Sequence, residues 1–276
     1  MPLSRDKINR ITEVAKHILL SRTESFPANG EDIRNAPFHE AFLSAFQDQL
    51  APYEISIPQL VALSSWLHGL STSLGSGFEN LASILNGGYK RKFTKEFTLN
   101  ITEIQAQRIG EIIANLKRNG EPNLANENAS LFAPEALNHE GRVKAIGFTA
   151  DTYVETPELI EAIELKSVRP NSGEVRGEKQ KILNAKAALK LNNPNHEIRF
   201  YIGFPFDPTA EGPTLFNKSR FFQYLIEFEK FFDPEEVLLG PELWNHLSGQ
   251  QNTMDEILEI IRETVAVYLA ETDIDL

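Results

Sequence analysis

Apolar positions in the first 120 residues recur at helical spacing. Ile8, Ile11, Val14, Ala15, Ile18 and Leu19 fall on one stripe, which predicts a helix. The same period predicts helices over 40–50, before Pro52, over 57–70, over 75–85, closed by Gly87-Gly88, and over 101–116. Residues 89–95, YKRKFTK, interleave basic and aromatic side chains. Residues 119–140 are rich in Asn, Pro and Ala with few periodic apolar positions, and predict an irregular crossover. The period then changes. Segments 143–148, 152–155 and 159–168 predict consecutive strands, the last two joined by a turn at Thr156-Pro157-Glu158. A helix over 175–191, a strand over 198–204 closed by Pro205 and Pro208, an aromatic helix over 215–232 and an acidic helix over 254–269 complete the order.

Strands alternating with helices predict an α/β protein, a sheet flanked by helices. The expected division is a helical N-terminal region, residues 1–120, packed on a core of residues 141–276 with acidic C-terminal helices, all as one continuous domain. The N-terminal run reads as an amphipathic helix and not as a signal peptide. No stretch approaches the roughly 18 apolar residues that would span a bilayer, so no membrane partner is expected. Cysteine is absent, which excludes disulfides, thiolate metal sites and a cysteine nucleophile, and fits a reducing cytoplasm.

The net charge of −12 argues at first against a polyanionic partner. Its distribution changes the picture. Residues 221–276 carry 13 acidic and 2 basic side chains, whereas residues 164–220 carry 10 basic and 6 acidic ones. The local field, more than the total, governs attraction to a phosphate backbone.

Candidate chemistry lies between residues 151 and 166. Along a strand, side chains alternate faces, so Glu164 and Lys166 point the same way while Ile163 and Leu165 point the other. A hairpin brings Asp151, at the start of the neighbouring strand, toward Glu164. Two converging carboxylates make a hard oxygen site suited to Mg2+. Lys166 can hold or deprotonate an attacking water and offset developing negative charge. The helix that follows carries Arg176, Lys179, Lys181, Lys186 and Lys190, candidates for phosphate contacts together with Gln180. Arg169 and Asn171, in the loop after the strand, have the side chains that read guanine and adenine. Lys90, Arg91, Lys92 and Lys95 form a second basic cluster. Phe221, Phe222, Tyr224, Phe228, Phe231 and Phe232 have helical spacing and predict core packing. The six histidines lack ligand spacing, and neither a phosphate-binding loop nor a dinucleotide fingerprint is present.

Asp151 followed by Glu164-Leu165-Lys166 resembles the PD-(D/E)XK nuclease motif. The run from Glu164 to Asn171, then from Gly173 to Lys181, resembles the active-site segment of type II restriction endonucleases in that superfamily. The usual pattern has proline before the first Asp. Ala150 stands there, and Glu155 and Glu161 are the alternative first carboxylates. Residues 70–79 are similar to a helical segment of several restriction endonucleases in which a helix-borne Glu reaches the metal, which makes Glu79 an expected ligand beside Asp151 and Glu164. The resemblance implies a PD-(D/E)XK restriction-endonuclease-like core, a central mixed sheet flanked by helices, with a helical N-terminal region. It implies Mg2+-dependent, sequence-specific hydrolysis of double-stranded DNA, leaving 5′-phosphate and 3′-hydroxyl ends. A homodimer, a bacterial cytoplasm and a cognate DNA methyltransferase acting on the same sites follow from that reading. The rivals are another nuclease of the superfamily tied to repair or mobile elements, a non-catalytic DNA-binding protein whose Glu164 and Lys166 form a plain ion pair, and an acidic helical interaction protein.

Overall fold

The computed structural model describes residues 2–27, 35–94, 97–166 and 172–272. The chain forms two compact units: residues 1–7 with 79–258, and residues 8–78 with 259–276. The sequence placed the division near residue 120. Residues 79–120 instead belong with the sheet, because 89–93 form a strand of it.

The second unit is helical. It contains α1 (Arg5–Thr23) from Ile8 onward, α2 (Pro37–Leu43), a 3-10 turn over Ser44–Phe46, α3 (Gln47–Leu50), a 3-10 turn over Ala51–Tyr53 and most of α4 (Ile57–Asn86). The predicted helix over 40–50 is thus several short pieces, and the two helices expected over 57–85 are one. Close packing explains a small residue on this helix. A Cβ at Gly77 would stand 2.7 Å from Ile18 Cδ1 of α1.

The sheet unit follows from β1 (Tyr89–Phe93) through β2 (Asn100–Thr102), α5 (Glu103–Asn119), α6 (Leu124–Leu131), α7 (Pro134–Leu137), β3 (Arg142–Lys144), β4 (Phe148–Glu155), β5 (Leu159–Leu165), α8 (Ser172–Asn192), β6 (Glu197–Phe204), α9 (Lys218–Tyr224), β7 (Val237–Leu239) and α10 (Pro241–Ser248) to the start of α11 (Thr253–Thr272). The expected crossover over 119–140 is α6 and α7, started by an Asn123 cap and by Pro134, with Leu131 fully buried. The expected aromatic helix over 215–232 stops at Tyr224, because Leu225 turns to extended backbone with ψ 139°. Five of its six aromatics pack as expected, with Phe221, Phe222, Phe228, Phe231 and Phe232 buried, whereas Tyr224 is exposed.

Among the described residues the main sheet has five strands in the order β1-β4-β5-β6-β7. The first two pairings are antiparallel and the last two parallel. The parallel step from β5 to β6 needs a crossover, and α8 provides it. Its Leu183, Ala185, Ala187, Ala188 and Leu189 are buried in one core with Tyr153, Ile160, Ala162, Phe200 and Ile202 of the sheet. Leu243 of α10 covers the opposite face, within reach of Ile163, Leu165 and Gly203. No helix among the described residues is long and apolar enough to cross a membrane.

The link from α4 to β1 is tight. Gly87 has a left-handed φ of 71°, and a Cβ on Gly88 would lie 2.9 Å from the Tyr153 carbonyl oxygen and 2.6 Å from Thr152 Oγ1. Backbone cannot yield as a flexible side chain does. Gly88→Ala is therefore expected to destabilise the protein by about 1–3 kcal/mol, read as a lowered urea midpoint. An unchanged midpoint would show that β1 can slide.

Candidate active site

The β4–β5 hairpin builds the site. Thr152 pairs with Ile163, and Asp151 and Glu164 are the residues that flank this pair, one on each strand. Glu164 faces α8, because Lys166 pairs with both it and Glu178 of that helix, and Asp151 is near enough to act on the Glu164 charge. The Leu165 N–H donates to Asp151 Oδ2 at 2.9 Å, which locks that carboxylate against the β5 backbone. Glu164 Oε1 accepts from Lys166 Nζ at 3.0 Å, while Glu164 Oε2 is buried with no hydrogen-bond partner.

Two residues that the sequence did not place at this site, Glu178 and Lys90, complete the cluster. Lys166 Nζ also lies 3.4 Å from Oε1 of Glu178 on α8, and Glu178 in turn pairs with Lys181 at 2.7 Å. Lys90 of β1 pairs with Asp151 Oδ1 at 2.8 Å and with Glu79 Oε2 at 2.6 Å. Glu79 thus reaches the site through an ammonium group. Among the described residues no three Asp, Glu or His side chains converge on one metal position.

The charges perturb one another. Burial pushes the Glu164 carboxyl above the usual carboxylate range, and Asp151 and Glu178 add to that against the pull of Lys166. Burial works against the Lys166 ammonium, but Glu164 and Glu178 outweigh it and raise its pKa. Burial likewise opposes the charge of Lys90, yet Asp151 and Glu79 push it up to about 12.

The alternative first carboxylates lie elsewhere. Glu155 is opposite Ile160 and pairs with Arg91 at 3.2 Å. Four residues of strand, roughly 13 Å, separate it from Asp151. Glu161 is on the other face, 3.0 Å from His246 Nε2 of α10. Of the candidates, Asp151 is the one brought beside Glu164.

The basic helix does not present all its charges to solvent. Lys179 is fully buried, paired with Glu127 at 2.6 Å and with Glu236, so it is not placed to touch DNA. Lys186 is buried as well, 3.6 Å from Glu236 Oε1. These two correct the expectation, because Glu127 and Glu236 supply partners inside the fold that the helix sequence cannot show. Arg176 is exposed, Gln180 and Lys181 are half-buried, and Lys190 Nζ donates to the His196 carbonyl at the far end of the helix. Arg91 stacks over the Tyr153 ring, 4.4 Å from its centroid, and Lys92 is exposed. Arg169, Asn171 and Lys95 lie outside the described residues.

A divalent ion fits the donor set found here. Mg2+ takes one or two carboxylates and keeps the rest of its shell as water or phosphate oxygen. Asp151 and Glu164 are the adjacent pair, and the partnerless Glu164 Oε2 is an acceptor with capacity to spare.

Comparison with known proteins adds an independent line. A family model described as "Type II restriction endonuclease, HinfI" matches residues 4–265. The chain is 45% identical over 267 residues to the type II restriction enzyme MjaII of Methanocaldococcus jannaschii, an alignment spanning 95% of this chain and 71% of that protein.

Proposed function

Since the chain belongs to the HinfI family of type II restriction endonucleases, and so is a site-specific deoxyribonuclease, we propose that it hydrolyses both strands of double-stranded DNA on a PD-(D/E)XK core, with Asp151 and Glu164 holding Mg2+. The observation that carries this reading is the meeting of Asp151, Glu164 and Lys166 at one end of the β4–β5 hairpin, with one Glu164 oxygen buried and free to bind a cation. When bound, Mg2+ polarises the phosphoryl group and lowers the pKa of a water.

The chain's own residues supply the rest. The Leu165 N–H fixes the Asp151 carboxylate in place. Glu164 and Glu178 anchor the Lys166 ammonium, which orients the attacking water and offsets negative charge developing on the phosphate. Attack at phosphorus with departure of the 3′ oxygen leaves a 5′-phosphate and a 3′-hydroxyl. Arg176, Gln180 and Lys181, near the start of α8, contact the DNA backbone, and Arg169 and Asn171 read bases. One such cluster per chain cuts one strand, so a homodimer matches its two-fold axis to a palindromic site. A methyltransferase acting on the same sites protects host DNA, and a bacterial cytoplasm is the setting this reading gives the enzyme.

Digestion of phage DNA tests it. Discrete fragments are expected with Mg2+ and none with a chelator, and the fragment ends should accept a labelled phosphate only after phosphatase treatment. A smear, or equal digestion in chelator, would overturn the reading.

A further inference from the structure

The mechanism above leaves one group at the site without a task. Lys90 Nζ lies 2.8 Å from Asp151 Oδ1 and 2.6 Å from Glu79 Oε2, between two carboxylates of which the first is a proposed metal ligand and the second an expected one. The other Asp151 oxygen already accepts the Leu165 N–H. The Asp151 oxygen that is not tied to the β5 backbone is thus the one that the ammonium holds. Lys90 sits on the edge strand β1 with its side chain 38% exposed, so the flexible stem has room to swing away.

We infer that Lys90 is an exchangeable counter-cation of the metal site: it neutralises Asp151 and Glu79 while the ion is away, yields both carboxylates when a divalent ion enters, and then pairs with a DNA phosphate. This inference rests on the proposed metal role of Asp151. An ammonium and a divalent ion compete for the same oxygen, and with both in place two cations would face each other across it. Release of Lys90 relieves that repulsion, frees Glu79 as a further oxygen donor, and leaves a positive charge beside the phosphodiester. Lys90 is then a positioning residue whose two partners exclude each other, the carboxylate pair and the phosphate.

Two binding measurements on the full chain test this, neither of which depends on cleavage. Calorimetric titration with Mn2+ without DNA compares wild type with Lys90→Met and Lys90→Gln, both checked for folding by circular dichroism. Removing the competitor is expected to tighten Mn2+ about tenfold, the size of one charge-assisted hydrogen bond. A gel shift with cognate DNA, with Ca2+ in place of Mg2+, is expected to show about threefold weaker DNA binding in the same variants, as befits one lost phosphate contact. Opposite changes in the two affinities are the signature of exchange, because a damaged site would weaken both. Unchanged or weaker Mn2+ binding in both variants overturns exchange, and unchanged DNA affinity overturns the handover to phosphate. Asp151→Asn separates this from the underlying reading. If that variant binds Mn2+ as wild type does, the metal role of Asp151 fails and the inference falls with it. If it loses Mn2+ while the Lys90 variants match wild type, the inference alone fails.

Discussion

Lys166→Ala is expected to lower the rate of DNA cleavage by roughly 10²–10³-fold or more, the usual consequence of removing one preorganised donor from a site where charge develops. DNA affinity should change only a few-fold. The ammonium lies 3.0 Å from Glu164 Oε1 and 3.4 Å from Glu178 Oε1, and its side chain is 23% exposed. It is therefore fixed before substrate arrives, and no reorganisation is left for the transition state. Alanine removes the charge and also leaves Glu164 and Glu178 facing each other without a counter-cation. Some loss of stability should accompany the loss of rate, and a urea denaturation run in parallel separates the two. Arginine at this position should not restore the rate, since its planar fork cannot reproduce the point charge between two carboxylates. Single-turnover cleavage paired with a gel shift reads the outcome. Cleavage within tenfold of wild type would reduce Lys166 to a structural ion pair. Equal losses in cleavage and affinity would make it a phosphate contact.

The β4–β5 hairpin was legible because its signals are local. The apolar run Leu159–Leu165 and the turn at Thr156-Pro157 predict a hairpin that brings Asp151 toward Glu164, with no information from further away, and the hairpin forms. Glu178 and Lys90 were not legible as site residues, because each joins the cluster through a long-range charge contact that no spacing rule encodes. The sequence of helix α4 predicts two helices for a different reason. Its middle, Leu70 to Gly77, is rich in Ser, Thr and Gly, poor helix formers that compete for backbone hydrogen bonds. In the fold that competition is absorbed within the helix: the hydroxyls of Ser71, Thr72 and Ser73 donate to the carbonyls of Leu67, His68 and Gly69, each four residues back. Strand β7 is three residues long, too short for any period to announce it. The charges of α8 split by face. Spacing alone marks Lys179 and Lys186 as solvated, and only the position of Glu127 and Glu236 shows that they are not.

Those buried charges set the second large expectation, on stability. Lys179, Lys186, Glu127 and Glu236 are each at most 5% exposed and lie in the sheet unit, tying α8 to α6 and to the 3-10 turn over Pro234–Glu236. Two cations and two anions balance, but the balance depends on each of them. Burial pushes the Glu127 carboxyl up and the Lys186 ammonium down, the direction in which each would shed its charge, while neighbours of opposite sign resist. Lys179 is the hub, paired with both carboxylates and 5.4 Å from the Phe232 ring centroid. Lys179→Met, similar in length and uncharged, leaves two buried carboxylates with Lys186 alone. It is expected to cost about 3–5 kcal/mol, the scale for breaking a buried ion pair on one side. Adding Glu236→Leu removes one of the stranded anions. The double variant should therefore be less destabilised than the sum of the two single variants, and this non-additivity separates lost pairing from lost packing volume. Urea denaturation of the four proteins closes the cycle. A loss below about 1 kcal/mol for Lys179→Met would mean that the carboxylates find protons or water at little cost, and the cluster would then contribute little to holding α8 over the active-site face of the sheet.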